Sequence, residues 1–406
     1  MHVLLIHQAF ATLSDPGGTR HHEIARYLVA RGHRVTVLTS QISYLTGKST
    51  GRAVWLRREV DGEGVAIWRC YSLRSWHRSF FHRLLSFFSF TLSAFLNGLK
   101  VRNVDLVWGT SPPLFQGLTA WGLARVRRAA FLFEVRDLWP AFAVAVGVLR
   151  QPLLIRLSEW LERFLLRHAN QVVVNSPGFI EHVRERGAHS VEMVPNGAEV
   201  GMFHPEDDGL ELRRLHHLEG KFIVMYAGAH GISNDLGVAL GAAEMLRGEG
   251  SIVFVFVGDG KEKPALMANA RGKGLANVLF LPPVAKSEMP RLLAMADACL
   301  AILKPLEPYR TTYPNKVFDY MAAGRPVLLA IDGVIRELVE AARGGVFVRP
   351  GDPEALAKAI RGLAADRQMA QSTGLAGRDY VARHFDRPAL AQKMEAVMAK
   401  TARGMD

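Results

Sequence analysis

Wholly apolar, β-branched runs recur along the chain, separated by amphipathic or glycine-containing stretches. Across the first forty residues HVLLIHQ, DPGGTR, HHEIARYLVARG and HRVTVLT follow in turn. That order reads as strand, loop, helix and strand, a βαβ unit. Similar runs stand at VAIWRCY (65–71), DLVWGTS (105–111), AAFLFEV (129–135), QVVVNS (171–176) and SVEMVP (190–195), with helical stretches between them. Strands that alternate with helices and lack a polar face predict a parallel, doubly wound sheet. The alternation breaks at Pro195-Asn196-Gly197 into a turn-rich, acidic stretch through Gly209. It resumes with KFIVMYAG (221–228), SIVFVFVGDG (251–260), NVLFLP (277–282), ACLAIL (298–303), RPVLLA (325–330) and GGVFVRP (344–350). The pattern predicts an α/β chain of two Rossmann-like, doubly wound parallel-sheet domains, residues 1–200 and 201–385. After a break at Phe385-Asp386-Arg387-Pro388, residues 386–406 read as a last helix placed to cross back to the first domain.

Composition narrows the class. At 406 residues, 49% hydrophobic and 22% charged, the chain has room for two or three globular cores and is too polar for several membrane spans. Cys70 and Cys299 lie far apart and outside any CxxC or Cys/His cluster. Neither a disulfide framework nor a metal site is expected, and a reducing compartment fits. Met1 to Phe10 lacks a basic leader and reads as a buried strand, so a cytoplasmic location is expected. Charge is uneven: residues 1–200 hold 24 basic and 14 acidic residues, residues 201–406 hold 26 and 24. A basic first half asks for an anionic partner. No dedicated nucleic-acid motif is present, which favours a phosphorylated substrate or a membrane surface.

In open α/β sheets ligands bind beyond the carboxyl ends of the strands, so two such sheets facing each other would form a cleft lined by loops. Gly17 and Gly18 lie between the first strand and helix, where a phosphate or sugar can approach backbone N–H groups. Arg20, His21 and His22 follow in the helix's first turn, with the histidine pair expected in solvent. Arg136, Asp137 and Trp139 follow a strand, and a carboxylate there can hold or deprotonate an attacking hydroxyl. In the second half the Gly228-Ala229-His230-Gly231 loop can offer N–H groups and an imidazole to a diphosphate, with Lys261 on the next loop. The run Thr312-Tyr313-Pro314-Asn315-Lys316 starts a helix if Pro314 sits at its first turn. Lys316 and Asp319 then share a face, a cation for phosphate and a carboxylate for ribose. Between Trp76 and Arg102 a basic, aromatic start (Arg78, Phe80, Phe81, Arg83) leads into an uncharged stretch from Leu84 to Leu99. That stretch is shorter than the roughly 20 residues a span requires, and suits an interfacial helix.

These motifs together resemble family-4 retaining glycosyltransferases of the GT-B fold: PGGTRHHEIARYLVARGHRVTVLT, RDLWP, VPNGAEVGMFHP and YPNKVFDYMAAGRPV. The likeness spans nearly the whole chain. It is nearest to the O-antigen, capsule and exopolysaccharide enzymes, including N-acetyl-fucosamine transferase-like proteins. It implies transfer of a hexosyl or N-acetylhexosaminyl group, with retention and without metal or cofactor, from a nucleotide diphosphate sugar, UDP-sugars favoured. The acceptor would be a saccharide or polyprenyl-diphosphate-linked hydroxyl at the inner face of the cytoplasmic membrane. By the same resemblance Gly17 and Gly18 lie by the sugar, Asp137 lines the catalytic centre with His230 and Lys316, and Gly231, Lys261 and Thr312 to Asp319 grip the donor. Arg20, Arg136 and Trp139 would face the acceptor. Two departures stand out: Ala229 and Asn234 replace the Arg and Lys that bind diphosphate in many relatives, and Thr311 and Asp319 replace a Glu-x7-Glu pair. The competing readings are a nucleotide-sugar 2-epimerase of the same architecture and a non-catalytic nucleotide-sugar-binding scaffold.

Overall fold

A computed structural model describes residues 1–42, 54–73, 80–207 and 209–404, the side chains of Phe80, Phe81 and Arg83 excepted. The chain forms two compact units. The first comprises Met1–Thr12, Gly18–Pro195 and Pro388–Asp406, and the second Leu13–Gly17 and Asn196–Arg387. The division therefore falls at Pro195/Asn196 rather than at residue 200, and the segment just before the Gly-Gly turn groups with the second unit.

In chain order the first unit contains β1 (His2–Ile6), α1 (Arg20–Ala30), β2 (Arg34–Ser40), β3 (Leu56–Val60), β4 (Ala66–Cys70), α2 (Phe80–Gly98), β5 (Leu106–Ser111) and α3 (Leu114–Arg127). It continues with β6 (Ala130–Val135), α4 (Ala141–Ala145), α5 (Pro152–His168), β7 (Gln171–Val174), α6 (Ile180–Glu185) and β8 (Val191–Met193). The sheet runs β3-β4-β2-β1-β5-β6-β7-β8. Every pairing is parallel except β3 with β4, which is antiparallel. The apolar-run pattern misses β3 because its sequence, LRREV, is that of a half-exposed edge strand.

The second unit contains α7 (Leu210–Leu215), β9 (Phe222–Ala227), α8 (Leu236–Met245), β10 (Ile252–Val257), α9 (Lys263–Gly272), β11 (Val278–Leu281), α10 (Met289–Ala294) and β12 (Ala298–Ile302). It ends with α11 (Asn315–Ala322), β13 (Val327–Ala330), α12 (Val334–Ala341), β14 (Gly345–Phe347), α13 (Pro353–Ala365) and α14 (Arg367–His384). Its sheet, β11-β10-β9-β12-β13-β14, is parallel throughout. The last helix, α15 (Arg387–Arg403), lies almost wholly in the first unit. There Leu390, Met394 and Met398 pack with Ile24 and Leu28 of α1 and with Val3, Leu5 and Trp108 of the sheet. Gly109, next to Trp108, faces the opposite way, against Ala120 of α3. The helices α2, α3 and α5 cover that second face.

A charge is buried in the middle of this apolar sheet. Glu134 of β6 is fully enclosed, accepting hydrogen bonds from Arg20 Nε at 2.9 Å, His21 Nε2 at 2.8 Å and Trp108 Nε1 at 3.1 Å. Burial opposes its charge, but Arg20, His21 and Arg136 outweigh that and hold the carboxyl well below the usual range. Arg20 also donates from its Nη atoms to the carbonyls of Pro195 and Val194, tying the start of α1 to β6 and to the chain just before the second unit. Arg20 therefore does not face an acceptor. The histidine pair is likewise not in solvent: His21 and His22 are buried, and His22 meets Asp61 at 2.8 Å. Burial lowers the His21 pKa to about 4, Glu134 only partly opposing it.

Replacing one member of such a buried ion pair strands the other charge. Glu134→Gln is expected to cost about 3–5 kcal/mol, read as a lower urea midpoint of the full chain. Because the carboxyl's pKa is depressed on folding, its contribution is complete above the ordinary carboxylate range and is lost only as pH falls through the folded value.

Candidate active site

Two loops meet at the carboxyl ends of β9 and β10 in the second unit. The Gly228 N–H donates to the Val257 carbonyl and the His230 N–H to the Asp259 carbonyl, both at 2.9 Å, and the His230 carbonyl accepts from Glu262 N–H at 3.0 Å. Gly258 has φ +136°, and a Cβ there would collide with the Gly228 carbonyl. The sequence's glycines thus permit a backbone-to-backbone contact that a side chain would pry apart. Tyr226 fixes the first loop from below, its hydroxyl donating to the Ala229 carbonyl at 2.7 Å.

Lys316 enters this loop from α11, whose cap position is Pro314. Its Nζ stands 3.8 Å from the Tyr226 ring centre, and a Cβ on Gly228 would lie 2.9 Å from it. Closed off from water, the Nζ has no hydrogen-bond partner among the described residues. Burial alone lowers its pKa to about 7. A cation so placed, beside uncapped N–H groups of a helix start, is an incomplete anion site. The helix start is held from two sides: Asn196 Nδ2 donates to the Tyr313 carbonyl at 2.8 Å, and Arg387 Nη2 to Asn315 Oδ1 at 3.4 Å. The PNG and PNK motifs are therefore parts of one local structure.

Several expected roles change. His230 is fully buried among Tyr226, Phe256 and Phe280, and burial, helped by Lys263 and Lys316, lowers its pKa to about 4. It is a neutral, enclosed group under the loop, with neither ring nitrogen hydrogen-bonded among the described residues. The Thr312 hydroxyl donates to the Tyr309 carbonyl at 2.8 Å. Asp319, expected to share a ligand-facing side with Lys316, is buried and paired with Lys286 at 2.6 Å. The half-buried Tyr313 ring packs on Phe318 and Phe385. Gly231 is half-buried at the end of the loop, while Lys261 is exposed.

In the first unit the carboxyl end of β6 carries Arg136, Asp137 and Trp139. Asp137 is exposed at its surface yet surrounded by enough protein that desolvation, against the pull of Arg136, raises its pKa to about 6. Arg136 donates to the Pro112 carbonyl at 3.0 Å, and Trp139 is half-buried. Gly17 (φ +137°) and Gly18 are exposed, and a Cβ at Gly18 would meet open space. Arg78 lies outside the described residues, as do the side chains of Phe80, Phe81 and Arg83.

Four residues that the sequence reading missed matter here. His7, at the end of β1, stacks on His21 at 4.3 Å with neither ring nitrogen bonded among the described residues. Its pKa is held well below normal by burial and by His21 and Arg136. Glu134, the one acid within AAFLFEV, carried a readable signal, since a charge in a fully buried strand needs a partner. Lys286 and Lys263 carried none. Lys263 Nζ caps the carbonyls of Gly258 and Leu281 at 2.6 and 2.8 Å.

Comparison with known proteins agrees with this architecture. Residues 17–197 match the glycosyl transferase 4-like domain, and residues 221–366 the glycosyl transferases group 1. WcaI of Escherichia coli (strain K12), a glycosyl transferase named for colanic acid biosynthesis, is 27% identical over 353 residues, 84% of this chain and 86% of WcaI. Among solved structures, sucrose-phosphate synthase from Thermosynechococcus elongatus superposes with a TM-score of 0.80 at 18% identity, over 98% of each chain. HepE from Anabaena, solved in complex with UDP-glucose, superposes with a TM-score of 0.72 at 17% identity, over 98% of this chain and 100% of that one. With a 4-like domain followed by a group 1 domain, together covering more than half its length, the chain belongs to the glycosyltransferases of the GT-B fold.

Proposed function

We propose that the protein is a retaining, metal-independent glycosyltransferase of the family-4 branch that builds bacterial O-antigen, capsule or exopolysaccharide, similar to N-acetyl-fucosamine transferases. It moves a hexosyl or N-acetylhexosaminyl group from a UDP-sugar to a hydroxyl of a saccharide or polyprenyl-diphosphate-linked acceptor, working from the cytoplasmic side of the membrane. The observation that carries this reading is Lys316: a buried ammonium with no hydrogen-bond partner among the described residues, beside the Gly228 loop and the start of α11. A diphosphate would complete it. The UDP-glucose complex of HepE supports uridine as the base, and the likeness to WcaI supports surface polysaccharide as the product.

In the proposed step the bond from the anomeric carbon to the diphosphate breaks while a bond to the acceptor oxygen forms on the same face. The leaving phosphate oxygen takes the acceptor's proton. Charge grows on that phosphate, where Lys316 and the loop N–H groups would stabilise it. Asp137, ionised above about 6, orients the acceptor, while the single proton of the attacking hydroxyl goes to the leaving phosphate. The second unit holds the donor with Gly231, Lys261 and Asn315. Gly17 and Gly18 leave room for the sugar, and Arg136 and Trp139 stand beside the acceptor.

Lys316→Ala is expected to remove a charged hydrogen bond of about 1.5–3 kcal/mol, on the order of 10–100-fold in Kd for UDP by calorimetry. Because the free ammonium is lost as pH rises through about 7, wild-type affinity should fall above that pH with proton uptake on binding, and Lys316→Met should abolish the slope. UDP binding unchanged by either substitution would overturn the donor site. Asp137→Asn is expected to lower kcat by about 100–10,000-fold with UDP affinity intact, and wild-type turnover should decline as pH falls through about 6. UDP-sugar binding without turnover on any acceptor would point instead to a scaffold.

A further inference from the structure

The α2 helix is apolar on its outward side as well as its inward one, which is unusual for a surface helix in water. Its inward face mixes Phe90 and Ala94 with Ser86, Ser93 and Asn97, all buried, with Ser93 Oγ donating to the Tyr71 carbonyl at 2.6 Å and Asn97 Nδ2 to the Trp55 carbonyl at 3.4 Å. Its outward face is apolar. Leu85, Phe88, Leu92 and Leu96 repeat at helical spacing, Phe88 48% and Leu92 58% exposed. A row like this gains nothing from water, where burying each such side chain would be worth about 1.5–3 kcal/mol.

The row does not stand alone. The neighbouring α3 packs against both α2 and α5, and ring contacts run across all three: Phe88 on Phe115 at 4.8 Å, Trp121 on Phe164 at 4.9 Å, Trp160 on Phe164 at 5.5 Å. On α5 a second exposed row appears, Leu153, Leu157 and Trp160, with Leu153 66% and Trp160 61% exposed. One apolar surface thus extends over three adjacent helices, wider than the isolated exposed residues of an ordinary monomer. Its border is basic. Arg156, Arg163 and Arg167 of α5 and Arg125 of α3 are exposed, and α2 and α3 contain no acidic residue. Of the two acids on α5, Glu159 lies 4.0 Å from Arg163, and Glu162 is turned inward to His182 and Arg186.

We propose that this α2-α3-α5 face seats the protein on an anionic lipid bilayer. The leucine and aromatic rows would enter the headgroup boundary and the arginines would meet lipid phosphates. No helix among the described residues is long and apolar enough to cross a membrane, so the surface lies on the bilayer. A second copy of the chain is the poorer occupant, because apposing two such faces sets arginine against arginine. The inference deepens the lipid-linked acceptor reading and rests on it only for the acceptor: vesicle binding needs neither donor nor acceptor, so either can fail alone.

The test is flotation of the full chain with vesicles of phosphatidylcholine, or of an equal mixture with phosphatidylglycerol, at low and high salt. The wild type is expected to float with the mixed vesicles at low salt and several-fold less with the others. The double variant Leu92→Glu, Trp160→Glu should lower the bound fraction at least about tenfold, in line with the lost burial of two side chains, with its melting temperature and UDP affinity unchanged. Arg156→Glu with Arg163→Glu should lower binding only to the anionic vesicles. A wild-type chain that stays free of both vesicle types overturns the proposal. So does a dimer in sedimentation equilibrium that the double variant dissolves.

Discussion

Both sheets are covered on both faces, and this burial constrains everything else in the molecule. A strand enclosed in this way must be apolar along its length, because an unpaired polar group inside costs several kcal/mol in the least favourable reference states. Polar chemistry is thereby driven to the strand ends, where chains leave the sheet. Loops after β6, β9 and β10 hold Asp137, the Gly228 loop and the Gly258 turn, and the start of α11 adds Lys316. In each unit the candidate residues are what remains at the strand ends after the core has taken the apolar ones.

Two of the buried charges meet opposite outcomes. Glu134 is buried with three donors and stays ionised, so it functions as a fastener between α1, β6 and the end of the first unit's chain. The Lys316 ammonium is buried with no hydrogen-bond partner among the described residues, and is correspondingly easy to deprotonate. The first is a closed network and the second an open one. A buried charge with its partners in place is structural, while one without them is a candidate for function. His230, at the same loop, shows that position alone is no guide: packed between aromatic rings, it supports the loop.

The helices on the second face of the first sheet follow another rule. Where α1 and α15 turn leucine and methionine inward, α2 turns serine and asparagine inward beside Phe90 and Ala94, and carries leucine outward. The Ser93 hydroxyl and the Asn97 amide reach the carbonyls of Tyr71 and Trp55, just outside the ends of β4 and β3. The outward leucines form the face proposed above to meet a bilayer.

Much of the architecture was legible in the chain itself. The apolar runs, their alternation with helical stretches and the turn-rich break near Pro195-Asn196-Gly197 determined two parallel sheets, because enclosure on both faces leaves a local signature in every strand. Edge strand β3 escaped for the same reason in reverse, having no enclosed face to announce it. Glycine and proline placed the loops, and PNK placed a lysine at a helix start. Which polar side chains would be partnered was decided only by the tertiary structure. Nothing local in RHHE says that Arg20 and His21 meet Glu134, nor in AKSE that Lys286 takes Asp319. Hydrogen bonds act over a few ångströms in space irrespective of distance along the chain. Periodicity therefore reveals an element, while the partner of a buried charge exists only once the elements have packed.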